Sequence, residues 1–269
     1  MSDPQENALM PPYDAAVVDT TVSQEARAYD YLLGGVDHFE VDRAAVLEMY
    51  GSPEGVELAR KRVRANRNFL GRAIRFLAGE VGIRQFLDLG TGIPNADNVH
   101  GVAQATAPDC KVVYVDHDPV VLAHAHKLNA ATAAGQTLFV FSDIRDHESV
   151  LRQAARILDF DQPIGLVIVG VLHHFRDEED PKGLVRRYLD AVPSGSYLVM
   201  EQVGRENDAM QKLGRTDFTM VPRTRAEFAP FFEGVELVEP GLVFVDQWRP
   251  DGPPPDIETR HPCGVGRKP

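Results

Sequence analysis

The chain has 269 residues, 43% of them hydrophobic and 25% charged, with a formal net charge of −12 at pH 7. That length suits one large α/β domain with decoration, the acidic balance disfavours a phosphate backbone as partner, and no apolar run reaches the ~18 residues of a membrane span. Cys110 and Cys263 lack CxxC spacing, which argues against a disulfide scaffold or a thiolate zinc site and fits a reducing cytoplasm.

The opening "MSDPQENALMPPYD" is acidic and carries no apolar signal core, so a cytoplasmic location is expected, with residues 1–22 as a flexible arm. Ser23 is the expected N-cap of a helix through "ARAYDYLL" that stops at Gly34-Gly35. "FEVDRAAVLEMY" predicts a second helix closed by Gly51, and Ser52-Pro53 opens a third. Val56, Ala59, Val63, Leu70, Ile74, Leu77 and Val81 give that third helix a buried stripe. Arg60, Lys61, Arg62, Arg64, Arg67 and Arg72 read as its solvated face. Residues 23–82 are thus expected to be helical.

From Arg84 the rhythm changes. "QFLDL", "KVVYVD", "TLFVFSD", "PIGLVIVGV" and "SYLVMEQV" are short apolar runs, with helical segments near 95–106, 119–132, 146–158 and 177–192. Strands so continuously apolar are buried on both faces, and the alternation implies a doubly wound, mostly parallel sheet. Asp118 and Asp146 read as helix caps, and Thr224 to Glu227 as a capping box. "VELVEP" and "LVFVDQW" are expected to pair antiparallel around Pro240-Gly241, and 251–269 to trail as an extended tail.

In such a sheet ligands bind at the carboxyl ends of the strands. The first run ends in Asp88-Leu-Gly90-Thr-Gly92, where glycine lets backbone approach a ligand. The second ends in Asp116, suited to both ribose hydroxyls, and the third in Asp143. Asp143 suits an adenine amine, with the Ile144 N–H on a ring nitrogen. The fourth brings His173 and His174 to the mouth as general-base candidates; the alternative is one core and one surface histidine. Arg205 and Glu201 border an acceptor pocket, and Asp143, Asp146 and Glu201 are the carboxylates a metal-assisted route would need. A dinucleotide fingerprint requires a third glycine where Asn95 stands, after the stiffening Pro94. That disfavours a nicotinamide oxidoreductase. An acid beside the loop favours a ligand with a positive end, a requirement that S-adenosyl-L-methionine meets.

The order Asp88-x-Gly90-x-Gly92, Asp116, Asp143 and LHHF resembles the class I S-adenosylmethionine-dependent methyltransferases. "ARAYDYLLGGVDHFEVDR", "RANRNFLGRAIRFL", "GIRQFLDLGTGIP", "NVHGVAQ" and "VVYVDHDPVVLAHA" resemble, more narrowly, a bacterial S-adenosyl methyltransferase family once catalogued as a domain of unknown function. The resemblance spans about residues 23–250. It implies a seven-stranded Rossmann-like sheet over 83–250, its last strand antiparallel, under an N-terminal helical cap. It implies Asp88, Gly90 and Gly92 at the methionine, Asp116 at the ribose and Asp143 with Ile144 at the adenine, and adds His117 and Gly170 to the cofactor residues. The cap is expected to present Tyr29, Tyr31 or Asp37 to ligand. His38 and His117 depart from the asparagines of typical members. The expected partner is a small-molecule methyl acceptor, with no nucleic acid and no membrane; a non-catalytic cofactor-binding module is the alternative.

Overall fold

The computed structural model describes residues 19–94, 97–125, 135–205, 220–253 and 258–269. Five apolar runs form the parallel strands β1 (Gln85–Leu89), β2 (Lys111–Asp116), β3 (Gln136–Phe141), β4 (Gly165–Val169) and β5 (Tyr197–Glu201). They lie in the order β3-β2-β1-β4-β5, so successive crossovers reverse direction between β1 and β4. That reversal is where a doubly wound sheet opens a crevice at its carboxyl edge.

The sheet continues antiparallel. Here the structure corrects three expectations. The segments β6 (Glu236–Leu237) and β7 (Val243–Phe244) do not pair with each other. Both pair with β8 (Pro262–Arg267), which inserts beside β5. The sheet therefore has eight strands rather than seven, and 262–267 is an interior strand rather than tail. Its "PCGVGR" lacks apolar alternation because glycine makes room for neighbours: a Cβ on Gly266 would lie 2.4 Å from Val235 Cγ2, and one on Gly264 3.0 Å from Phe232 Cζ.

Helices cover both faces. Phe86, Tyr114, Val167, Val199 and Val265 point to the side of α3 (Pro53–Arg75) and α4 (Val99–Thr106). Leu87, Val113, Leu166 and Leu198 point to α6 (His147–Ala154) and α7 (Pro181–Ala191). Ser52, Asp118, Asp146 and Thr224 cap α3, α5 (Pro119–His124), α6 and α8 (Arg225–Phe228), each accepting a first-turn N–H. Ser23 does not cap α1 (Glu25–Leu33): Gln24 holds the cap position, and its N–H donates to Asp42 Oδ1 instead. The helix expected to 132 is described only to His124, and 126–134 lie outside the described residues.

The long α3 joins two cores. Val56, Ala59 and Val63 pack with Ala28 and Leu32 of α1 and Val46 of α2 (Glu40–Tyr50), while Phe69, Leu70, Ile74 and Leu77 lie on the sheet, the last in the π-helical turn that continues α3. A fully buried ion pair, Arg27 to Asp42 at 2.9 Å, ties α1 to α2. Asp42 also accepts from Phe39 N, and Arg27 donates to the carbonyls of Asp19 and Val22, so residues 19–22 of the expected arm are held against α1. Residues 1–18 lie outside the described residues.

Arg72 departs from the solvated face expected of its cluster. It is buried, and donates to the carbonyls of Trp248 (2.9 Å) and Val245 (2.5 Å), fastening the segment after β7 to α3. Arg72→Met removes both charge-assisted bonds and strands two buried carbonyls. A loss of about 2–4 kcal/mol in urea unfolding is expected; an unchanged midpoint would show that the two bonds carry no net stability.

Candidate cofactor and acceptor site

The crevice is built from the ends of β1, β2 and β3. After β1 the chain turns through Gly90 at φ +78°, and the N–H groups of Gly90 and Thr91 both donate to the Val115 carbonyl (2.8 and 3.2 Å). A Cβ on Gly90 would lie 2.4 Å from Val171 Cγ2, so this turn admits no side chain. Gly92 has φ +66° and nothing within 4 Å of where a Cβ would stand, which leaves open space above the loop. Gly170, after β4, has φ +74° and the same open space.

Asp116 organises this edge. Its Oδ2 accepts from Gly92 N at 2.9 Å and its Oδ1 from Asp118 N at 3.0 Å. Its carbonyl accepts from Ser142 N at 3.0 Å, which brings in the end of β3. Each carboxylate oxygen keeps acceptor capacity beyond its one backbone donor. Beside it, burial pushes the Asp88 carboxyl up to about 7; the Arg67 charge and the hydrogen bond from Thr91 oppose the shift, and Asp116 adds to it. Thr91 Oγ1 donates to Asp88 Oδ2 at 3.2 Å.

At the end of β3, Asp143 lies in the fork of Arg145, with Nε 3.0 Å from both carboxylate oxygens, while Arg145 Nη1 reaches Glu179 at 3.1 Å. Burial would raise the Asp143 pKa, but the hydrogen bonds and charge of Arg145 hold it below the ordinary value. The Ile144 carbonyl accepts from Tyr188 Oη at 2.7 Å, which pins that peptide. His117 is exposed between the ends of β2 and β3, where its charge is felt by Asp118 and Asp143.

Across the switch point stand the histidines. His173 is buried with Nδ1 unpartnered among the described residues, and burial, aided by the charges of His174, His261 and Arg223, holds its pKa well below the ordinary value. The rings of His173 and His174 are 4.1 Å apart, and His174 Nδ1 lies 3.1 Å from Glu25 Oε2 of α1. The helical layer therefore closes onto the end of β4. Tyr29 follows on α1, pushed up to about 12 by burial against the Arg67 charge, with Glu201 adding to the shift. Asp37 lies 3.7 Å from His124 of α5, over the β2 side. Tyr31 packs edge-on against His38 and beneath Arg60, among residues of the helical layer itself.

Two residues lacked any sequence signal. Arg223, from a turn-rich stretch, donates to the carbonyls of Leu172 and Phe175 and to Gln202 and Asp177, clamping the histidine loop. His261, from the supposed tail, places Nδ1 2.9 Å from Oε1 of the fully buried Glu201. Arg205 instead pairs with Glu227 on the surface. Among the described residues no three His, Cys, Asp or Glu side chains gather where a metal ion could sit, and no helix is long and apolar enough to cross a membrane.

The fold is shared with solved proteins. A DUF574-family protein of Streptomyces avermitilis is 41% identical with a TM-score of 0.86, covering 93% of this chain and 99% of its own. A candidate methyltransferase of Thermobifida fusca is 38% identical with a TM-score of 0.81, covering 93% and 96%. The N-methyltransferase NodS of Bradyrhizobium japonicum, solved with S-adenosyl-L-homocysteine, shares the fold at 13% identity and a TM-score of 0.51, over 90% and 99% of the two chains. None of the curated proteins matches the sequence. The architecture is that of the Rossmann-like, class I methyltransferases. Within it, the chain belongs to the S-adenosyl methyltransferase family, whose profile matches residues 12–269, and is a methyltransferase dependent on S-adenosylmethionine.

The raised Asp88 has a consequence for stability. Its folded pKa, about 7, exceeds the ordinary 3.8, so between these values the folded protein keeps a proton that the unfolded chain has lost. Stability therefore falls as pH rises through that window and levels above it. Asp88→Asn removes this dependence, so urea midpoints of variant and wild type should diverge in the variant's favour from pH 5 to pH 8. A constant difference would place the Asp88 pKa near its ordinary value.

Proposed function

We propose that the protein transfers a methyl group to a small-molecule acceptor, with the cofactor lying along the ends of β1, β2 and β3. The observation that carries this is the Asp116 carboxylate, fixed by Gly92 N and Asp118 N beneath the open space at Gly92 and Gly170. A side chain at either glycine would fill the room that a nucleoside needs. When bound, S-adenosylmethionine supplies an electrophilic methyl group on a sulfonium.

Each residue then has a task. Asp116 accepts from the ribose hydroxyls with its remaining lone pairs. Asp88 ionises opposite the ammonium group, because a nearby cation returns a raised carboxyl to its charged form. Asp143, kept ionised by Arg145, accepts from the adenine amine, and the Ile144 N–H, on the residue whose carbonyl Tyr188 holds, is offered to the ring. His117 borders the adenosine on its exposed side. The ends of β4 and β5, with His173, His174 and Tyr29, are left for the acceptor. The Glu25 contact at His174 brings α1 to that end, and the Asp37 contact brings the same layer over α5. A nicotinamide cofactor fits less well: the loop turns on two glycines, and Asp88 lies where a diphosphate would be repelled.

Calorimetry with S-adenosylhomocysteine and with NADH tests this reading. Saturable binding of the first and none of the second is expected, and the reverse would overturn it. Asp116→Ala should weaken S-adenosylhomocysteine binding by about 1–3 kcal/mol, roughly fivefold to 150-fold. Equal affinity would remove Asp116 from the site.

A further inference from the structure

Glu201 and His261 are a buried polar pair that the cofactor seat does not use. Paired residues on neighbouring parallel strands face one side of the sheet, and Asp88 pairs with Tyr114 and Val167. Two residues further along, the same face carries Gly90, Asp116 and Val169, and Val169 pairs with Glu201. Asp116 and Glu201 are thus opposite ends of one transverse row, three strand spacings or roughly 14 Å apart. With the ribose at Asp116 and the methionine at Gly90, the methyl group faces the half of the row that ends at Glu201.

Glu201 is fully buried. Oε1 accepts from His261 Nδ1 at 2.9 Å, while Oε2 is buried and has no partner among the described residues. A desolvated carboxylate oxygen without a protein donor costs stability, which makes it a place for a water or a ligand to donate. With Nδ1–H donated to Glu201, the lone pair of the ring is on Nε2. The titratable and charged groups around this pair are His173 after β4 with Arg223 beside it, Tyr29 on α1 and Cys263 on β8 beside Glu201, and the neighbouring Arg260, which is within range of Arg62 on α3.

We propose that His261 is the base of the methyl transfer, that Glu201 is its positioning residue, and that the acceptor presents a phenolic hydroxyl. This rests on the cofactor placement proposed above. The acceptor O–H gives its proton to Nε2 as the oxygen lone pair bonds to the methyl carbon, and the electron pair of the broken carbon–sulfur bond stays on sulfur. The products are a methyl ether, neutral S-adenosylhomocysteine and an imidazolium held against the Glu201 carboxylate. Phenols and imidazoles ionise within about four units of each other, close enough for this transfer, whereas aliphatic alcohols do not. A protonated amine would bring a second cation to the sulfonium.

The test uses the full chain saturated with S-adenosylhomocysteine and titrated with 4-nitrophenol, buffered on the acid side of that phenol's own ionisation. The wild type should bind it as the phenolate, seen by its yellow band. His261→Asn should lose the band, and Glu201→Gln should move its appearance to higher pH by about one unit, a tenfold change. Both variants should still bind S-adenosylhomocysteine in calorimetry, which shows that they are folded. A wild type without the band, or a His261→Asn variant that keeps it, would overturn the proposal. Failure of the cofactor reading is distinct: S-adenosylhomocysteine would then not bind before any phenol is added.

Discussion

Two backbone N–H groups from different loops converge on the Asp116 carboxylate, one from Gly92 after β1 and one from Asp118 before α5. A carboxylate accepts such donors more strongly than a neutral group would, and here the acceptor ends one strand while the donor closes the loop of the next. The path of the glycine loop, the start of α5 and the edge of β3 through the Asp116 carbonyl are all fixed from this residue. A ligand meets a preformed surface, so little ordering remains to oppose its binding.

The helical layer belongs to the same mechanical unit. α3 packs its first half against α1 and α2 and its second half against the sheet, so the cover is rooted in the main core. The Arg27 and Asp42 pair is buried, Arg27 donating to two backbone carbonyls and Asp42 accepting from two backbone N–H groups, which sets how α1 meets α2. From that base α1 reaches the end of β4 through Glu25 and His174, and the following turn reaches α5 through Asp37 and His124. One contact lies on each side of the switch point. The cover therefore spans the crevice from the end of β4 to α5.

The parallel half of the fold was legible because its signals are local. Apolar runs, caps at Ser52 and Asp118, and acids at strand ends each depend on a few adjacent residues. β8 was not, because its burial comes from Phe232 and Val235 filling the space over two glycines, a complementarity distant in sequence. With β8 went the reading of His261, whose meaning depends wholly on Glu201 across the strand pair. Arg72 was misread for a related reason. Its charge suggested solvent, but its partners are carbonyls of Val245 and Trp248, far along the chain. The acids at the strand ends were readable as positions, whereas the shifts of Asp88 and Asp143 in opposite directions follow from burial and from Arg145, which only packing reveals.

A crystal structure of the protein with S-adenosylhomocysteine tests the account most directly. The account predicts the ribose hydroxyls within hydrogen-bond distance of Asp116, the adenine against Asp143 and Ile144, and the sulfur turned toward the ends of β4 and β5. A ribose seated away from Asp116, or a sulfur turned toward β3, would contradict it.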